Sequence, residues 1–109
     1  MDSRRPEVLN GFTYGVESPF GTLFITLNED KTGCPFELFL NIGKRGSEAA
    51  AHAEAIGRLC TLLLRLPSKV TEVQRIRNII QHLNGIGGNH SIPDSVAHAL
   101  TLYLKDKQF

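Results

Sequence analysis

A chain of 109 residues has room for one hydrophobic core and needs no disulfide or metal to hold it together. With 41% hydrophobic residues, 21% charged residues and a formal net charge of +1, the composition is that of an ordinary soluble protein, and gives no global electrostatic case for binding nucleic acid or a membrane surface. The two cysteines, Cys34 and Cys60, carry no disulfide signature, no apolar run reaches transmembrane length, and the N-terminal MDSRRPEVL lacks the apolar stretch of a signal peptide. The expectation is a reduced, cytoplasmic protein, complete from Met1.

Residues 1–11 are polar and read as an extended arm, ahead of a single domain over 12–109. From Phe12 the apolar period becomes two: Phe12, Tyr14 and Val16, then Leu23, Ile25 and Leu27, then Phe36, Leu38, Leu40 and Ile42. Ser18-Pro19-Phe20-Gly21 and the polar run Asn28 to Pro35 supply the turns, so the three strands form an antiparallel meander. The alternation sends Phe24 and Phe39 to the opposite face. A hairpin register pairing Leu27 with Phe36 sets those two phenylalanines directly across from each other. Either the arm, with Val8 and Leu9, covers them, or they form the interface of a homo-oligomer.

Ser47 to Leu66 (SEAAAHAEAIGRLCTLLLRL) is the longest helical stretch and is read as the central helix. Ser47 is its N-cap and Pro67 its stop. Ala49, Ala53, Ile56, Leu59, Cys60, Leu63 and Leu66 share a broad apolar face, while Ser47, Glu54, Arg58, Thr61 and Arg65 form a narrow polar stripe with a Glu54–Arg58 pair. A helix this apolar is expected to be packed on several sides, with the sheet's apolar residues against it. A second helix starts at Thr71, capped with Gln74 three on, and buries Val73, Ile76, Ile80 and Leu83. Arg75, Asn78 and His82 face out, and Gly85 stops it. The last helix is capped by Ser91; it turns Val96, Leu100, Tyr103 and Leu104 inward and Asp94, His98, Thr101 and Lys105 to water. The order defines an α+β, two-layer fold: a three-stranded antiparallel meander followed by three helices.

Little in this pattern suits an enzyme working alone. His82, His90 and His98 fit no zinc spacing, and the cysteines are too far apart for a Cys-x-x-Cys pair. Cys34 has no histidine close in sequence to activate it, and no Gly-Lys-Ser/Thr phosphate loop is present. His52 sits within the apolar face of the central helix, as a core residue or a site residue. The cations from Arg58 to Arg77 read as a solvated face. Two glycine-bearing turns remain, Gly43-Lys44-Arg45-Gly46 before Ser47 and Gly85 to His90 before Ser91, each leading into a helix N-terminus where free amides favour an anion. The candidate ligand-binding set is Gly43, Lys44, Arg45, Ser47, His52, Gly87, Gly88, Asn89, His90 and Ser91, with the two turns approaching each other.

The stretches RPEVLNGFTYGVESPFGTLFITLNED, PFELFLNIGKRGSEAAAHAEAIGRL, LNGIGG and SIPDSVAHAL resemble the TSCPD domain at the C-terminus of adenosylcobalamin-dependent ribonucleotide reductases, in order and over nearly the whole chain. The family's Thr-Ser-Cys-Pro-Asp motif aligns with His90-Ser91-Ile92-Pro93-Asp94. Smaller relatives carry further cysteines, read as metal ligands, around the positions of Gly43 and Gly87, and iron–sulfur scaffold proteins are more remotely similar. Here those positions hold Gly43, Gly87 and Ile92, so no metal and no cofactor is expected. The resemblance implies a non-catalytic accessory module that binds a nucleotide or a ribonucleotide reductase chain. The alternatives are a free-standing oligomeric binder that sequesters a phosphorylated small molecule and, less favoured, a metal or iron–sulfur carrier.

Overall fold

The computed structural model describes residues 4–43 and 46–109. Three antiparallel strands, β1 (Asn10–Ser18), β2 (Gly21–Glu29) and β3 (Pro35–Ile42), lie in the order β1-β2-β3 and precede α1 (Glu48–Arg65), α2 (Glu72–Leu83) and α3 (Ile92–Asp106). The fold is α+β, as the periodicity predicts. Ser18 tightens the first hairpin: its hydroxyl accepts from the Phe20 amide at 3.1 Å and donates to the Gly21 carbonyl at 2.7 Å. Gly21 follows with φ at 112°, a region side chains avoid.

The second hairpin differs from expectation. Leu27 pairs with Leu38, Phe24 with Asn41 and Phe39 with Thr26, so Phe24 and Phe39 are not partners. The cause lies in the turn. The Asp30 carboxylate accepts from the Thr32 amide, the Thr32 hydroxyl and the Cys34 amide, folding residues 30–34 around itself, and a bulge at Asn28/Glu29 brings Pro35 opposite Glu29. Burial pushes the Asp30 carboxyl up, but these hydrogen bonds outweigh it and hold it below its ordinary value. The register moves by two residues, so every side chain keeps its predicted face.

Leu23, Ile25, Leu27, Leu38 and Ile42 form the buried inner face, joined by Phe12, Tyr14 and Val16 at its margin. α3 lies across this face against β1 and β2, and α2 packs on α3 while also reaching β3 and α1. Tyr103 is fully buried edge-on to Phe12, and its hydroxyl donates to Glu29 at 2.7 Å, while Lys107 pairs with the same carboxylate at 3.0 Å. On the outer face Glu37 is buried beneath Arg5 (2.9 Å) and also accepts from Asn28 at 2.7 Å. The arm is thus anchored by Arg5, but Val8 stays exposed and Phe24 and Phe39 remain about half exposed.

α1 is flanked rather than central: it packs along the free edge of β3, not over the sheet face. Thr61 makes the seam. Its hydroxyl accepts from the Leu38 amide and donates to the Leu38 carbonyl, both at 3.0 Å, satisfying edge groups that would otherwise need water or another strand. Gly57 permits the approach, since a Cβ there would lie 3.2 Å from the Leu38 carbonyl oxygen. Ala53, Gly57, Cys60 and Leu64 are the buried residues of α1, and burial pushes the Cys60 thiol up to about 11. No helix among the described residues is long and apolar enough to cross a membrane.

Candidate functional site

The entry to α3 is built from a chain reversal that only glycine-rich sequence tolerates: Gly85, Gly87, Gly88 and His90 all have positive φ. Ser91 caps the helix by accepting from the Asp94 amide at 3.1 Å, and its hydroxyl donates back to the Ile86 carbonyl. The loop amides are not left for a ligand. The Asp94 carboxylate accepts from Gly85 at 2.8 Å and from His90 at 3.2 Å, so the chain supplies its own anion to the turn. Asp94, expected to face water, is the residue that closes this loop.

Beside the loop lies a cleft of about 520 Å³ between β1, the end of α2 and α3. Asn89 and His90 line it with Glu17, Asn84, Asp94, Ser95, His98 and Thr101. The Ser95 hydroxyl is buried in its wall and has no hydrogen-bond partner. Two carboxylates on the wall make the cleft unfavourable for a phosphate and suitable for an uncharged hydrogen-bonding group.

The entry to α1 is separate. Gly43 and Gly46 have positive φ, and Ser47 caps the helix by accepting from Ala50 at 3.1 Å. Gly46 and Ser47 line a cavity of about 660 Å³ with Asn41, Ala50, Glu54 and Arg58. Lys44 and Arg45, the expected source of attraction for an anion, lie outside the described residues. His52 lines neither cavity and is no core residue: it is exposed on α1 and pairs with Glu48 at 3.2 Å. Of the candidate residues, Ser47 lines one cavity and Asn89 and His90 the other, while Gly43, Gly87, Gly88 and Ser91 line neither.

The largest departure from expectation lies on α1. Leu59, Leu62, Leu63 and Leu66 are 61%, 54%, 47% and 47% exposed, so this part of the apolar face stays uncovered although the helix meets β3, α2 and α3. Between α1 and α2 runs a groove of about 380 Å³ with an apolar wall that includes Ile56, Leu59, Cys60, Leu63, Ile79 and Leu83. The Glu54–Arg58 pair forms as expected, at 3.1 Å. Arg75 is no solvated cation. Its side chain is only 12% exposed, and Nη1 donates to the carbonyls of Leu63, Leu64 and Leu66 at 2.8, 2.8 and 2.9 Å, capping the C-terminus of α1. Nε reaches the Val70 carbonyl and Nη2 pairs with Glu72 at 3.1 Å. The sequence shows only that a proline-terminated helix needs donors for its last carbonyls; it does not single out Arg75 from the nearer Lys69.

The positions where relatives carry cysteines do not fit a metal or cluster. Gly43 and Gly87 offer no donor atom, Ile92 is packed in the core, and no three His, Cys, Asp or Glu side chains come together among the described residues.

A three-stranded meander with α1 on its edge and α3 on its face, and a Ser-x-Pro-Asp turn at the entry to α3, define a small α+β domain. Residues 2–104 match the family model of the TSCPD domain, and the chain belongs to that family. Searches of the curated proteins and of the solved structures give no significant match.

Proposed function

We propose that this chain is a non-catalytic accessory module that works by binding another polypeptide, in the setting of ribonucleotide reduction that the TSCPD resemblance implies. The single observation that carries this is the exposed leucine face of α1, contiguous with the apolar groove toward α2. Contiguous exposed apolar surface on a domain this small marks an interaction site. Asp94 supports the same conclusion from the other side, because it already holds the loop amides that a phosphate would need.

The test is size-exclusion chromatography with light scattering on the chain mixed with the catalytic ribonucleotide reductase chain of the same genome. A stable complex is expected; two independent peaks at concentrations well above micromolar would remove the reductase from the proposal.

A small-molecule role is favoured second, by the unpartnered Ser95 hydroxyl in the wall of the cleft. The ligand would be a nucleoside or base presenting hydrogen-bonding groups, since Glu17 and Asp94 oppose a phosphate there. A thermal-shift series of nucleosides, nucleotides and inorganic phosphate separates these: stabilisation by a nucleoside that Ser95→Ala abolishes supports the cleft. Stabilisation by phosphate alone moves the site to the Gly46–Ser47 turn.

The homo-oligomer contact through Phe24 and Phe39 is proposed only as a weaker association. The two rings are half exposed but not paired, and they sit among Thr13, Thr26 and Asn41 on an otherwise polar face.

A further inference from the structure

We propose that β1 pairs with β1 of a second copy of this chain, antiparallel across a two-fold axis, so that two three-stranded sheets become one. The sheet has two edges, and the chain treats them differently. The β3 edge is closed by α1, through the Thr61 hydroxyl on Leu38 and the close backbone approach at Gly57. Nothing comparable closes the β1 edge. Of the other helices and strands β1 meets only β2 and α3; α3 lies on the inner face, and the arm is anchored at Glu37 on the far strand. Among the described residues no group outside β2 hydrogen-bonds to the backbone of Asn10–Ser18. The amides and carbonyls that point away from β2, at alternate residues, have only water.

An open edge asks for an extended strand, since a strand supplies donors and acceptors at the matching spacing. β1 also lacks the devices that keep strands off an edge. Over nine residues it has no proline, no lysine and no bulge, and its single charge is Glu17 near one end.

The strand itself decides for a second copy. Asn10–Ser18 (NGFTYGVES) pairs with itself over its full length when the axis passes through Tyr14. Phe12 then faces the partner's Val16, Thr13 the partner's Gly15, and Asn10 the partner's Ser18. Phe12, Tyr14 and Val16 are only partly buried in one chain, and in the pair these inner-face residues cover one another. Glu17 falls opposite the partner's Gly11, so no like charges of the two strands meet. Because α1 closes the other edge, pairing stops at two chains and does not run on into a fibre. β1 and α1 stand at opposite edges of the sheet, so both leucine faces stay free. The dimer therefore goes beyond the polypeptide-binding function proposed above and does not depend on it.

Light scattering over a concentration series tests this, and the wild-type chain should be a dimer. Thr13→Lys combined with Gly15→Lys sets lysine against lysine across the axis and should weaken the dimer at least about tenfold. Both positions are exposed, and a side chain at Gly15 meets only side-chain atoms of Phe24 and Thr22, at 3.4 and 3.6 Å, so circular dichroism should stay close to wild type. Thr13→Glu combined with Gly15→Glu should do the same. Mixed in equal amounts, the two variants pair lysine with glutamate and should restore the dimer, which misfolding of either variant could not do. Hydrogen exchange reads the wild-type chain independently: alternate amides of β1 should exchange slowly at high protein concentration and quickly on dilution.

A wild-type chain still monomeric at about 1 mM overturns the proposal. So does a dimer that both charged variants keep, or one that Leu59→Glu combined with Leu63→Glu dissolves, because the contact then lies elsewhere. Folded variants that do not rescue each other, or β1 amides whose exchange ignores concentration, overturn it as well.

Discussion

The two sides of α1 invert the usual relation between hydrophobicity and burial. Toward β3 the helix presents Ala53, Gly57 and Thr61; toward solvent it presents Leu59, Leu62, Leu63 and Leu66. The seam to β3 is made by the small and polar residues, while Cys60 and Leu64 beside it enter the core. The seam uses them because a strand edge asks for close approach and for hydrogen bonds, which glycine and threonine supply and leucine cannot. The leucines cost nothing to the seam and are left for something else. Apolar content alone says that a helix face will be covered; the residues that allow contact with backbone say by what.

Gly57→Leu should break the seam most completely. A Cβ at this position already meets backbone at 3.2 Å (the Leu38 carbonyl) and 3.4 Å (the Leu40 amide), and a strand backbone does not yield as a side chain does. The expected loss is about 3 kcal/mol, or more if α1 detaches, seen as a lower urea midpoint. Gly57→Ala is the control. Its gain in helix propensity of about 1 kcal/mol offsets a strain of similar size, so its midpoint should stay near wild type. A well-folded Gly57→Leu of unchanged stability would show that α1 does not lie on β3 in solution.

Arg75→Met keeps the length and apolar stem of the side chain and removes its donors. The carbonyls of Leu63, Leu64, Leu66 and Val70 lose a largely buried partner. Hydrogen bonds from a charged donor are worth about 1.5–3 kcal/mol each in favourable cases, but these share one guanidinium, so a total of about 2–3 kcal/mol is expected. Amide hydrogen exchange should speed up in the last turn of α1 before it does elsewhere.

Much of this fold is legible in the sequence. Period-two alternation placed all three strands, and Ser47, Thr71 and Ser91 were readable as N-caps because each is followed by a helical apolar pattern; all three cap as read. The register of the second hairpin was not legible, since it depends on how Asp30 folds its turn and on a bulge, neither of which alternates. The role of Arg75 was hidden for a related reason: a cation beside a helix end looks the same in sequence whether it is solvated or capping. Of the candidate site, the glycine turns were visible but the occupant of one was not, although Asp94 stands three residues after its N-cap, where a carboxylate commonly turns back on the loop. The two turns were expected to converge, and they line different cavities because one follows the β3 edge and the other follows α2.

Thr61→Val preserves the shape of the side chain and removes the hydroxyl that bridges the Leu38 amide and carbonyl. The two edge groups are then left against a methyl, at an expected cost of about 1–2 kcal/mol. Thr61→Ser should recover most of it. Equal losses for valine and serine would mean that packing, not the hydrogen bond, holds the seam.

The smallest expected effect tests the other side. Leu62 and Leu64 are two residues apart on one helix, but Leu64 is buried in the core and Leu62 is exposed. Leu64→Ala should cost about 2–4 kcal/mol, from lost transfer free energy and the cavity left behind. Leu62→Ala, which keeps helix propensity and removes only surface in contact with water, should cost less than about 1 kcal/mol. The comparison is sharpest as urea midpoints taken at two protein concentrations. If Leu62→Ala costs as much as Leu64→Ala, the leucine face is covered in solution. Should that cost grow with protein concentration, the cover is a second copy, because association then adds to stability by mass action. If it is small and independent of concentration, the face is open in the isolated chain, as a docking surface for a different partner requires.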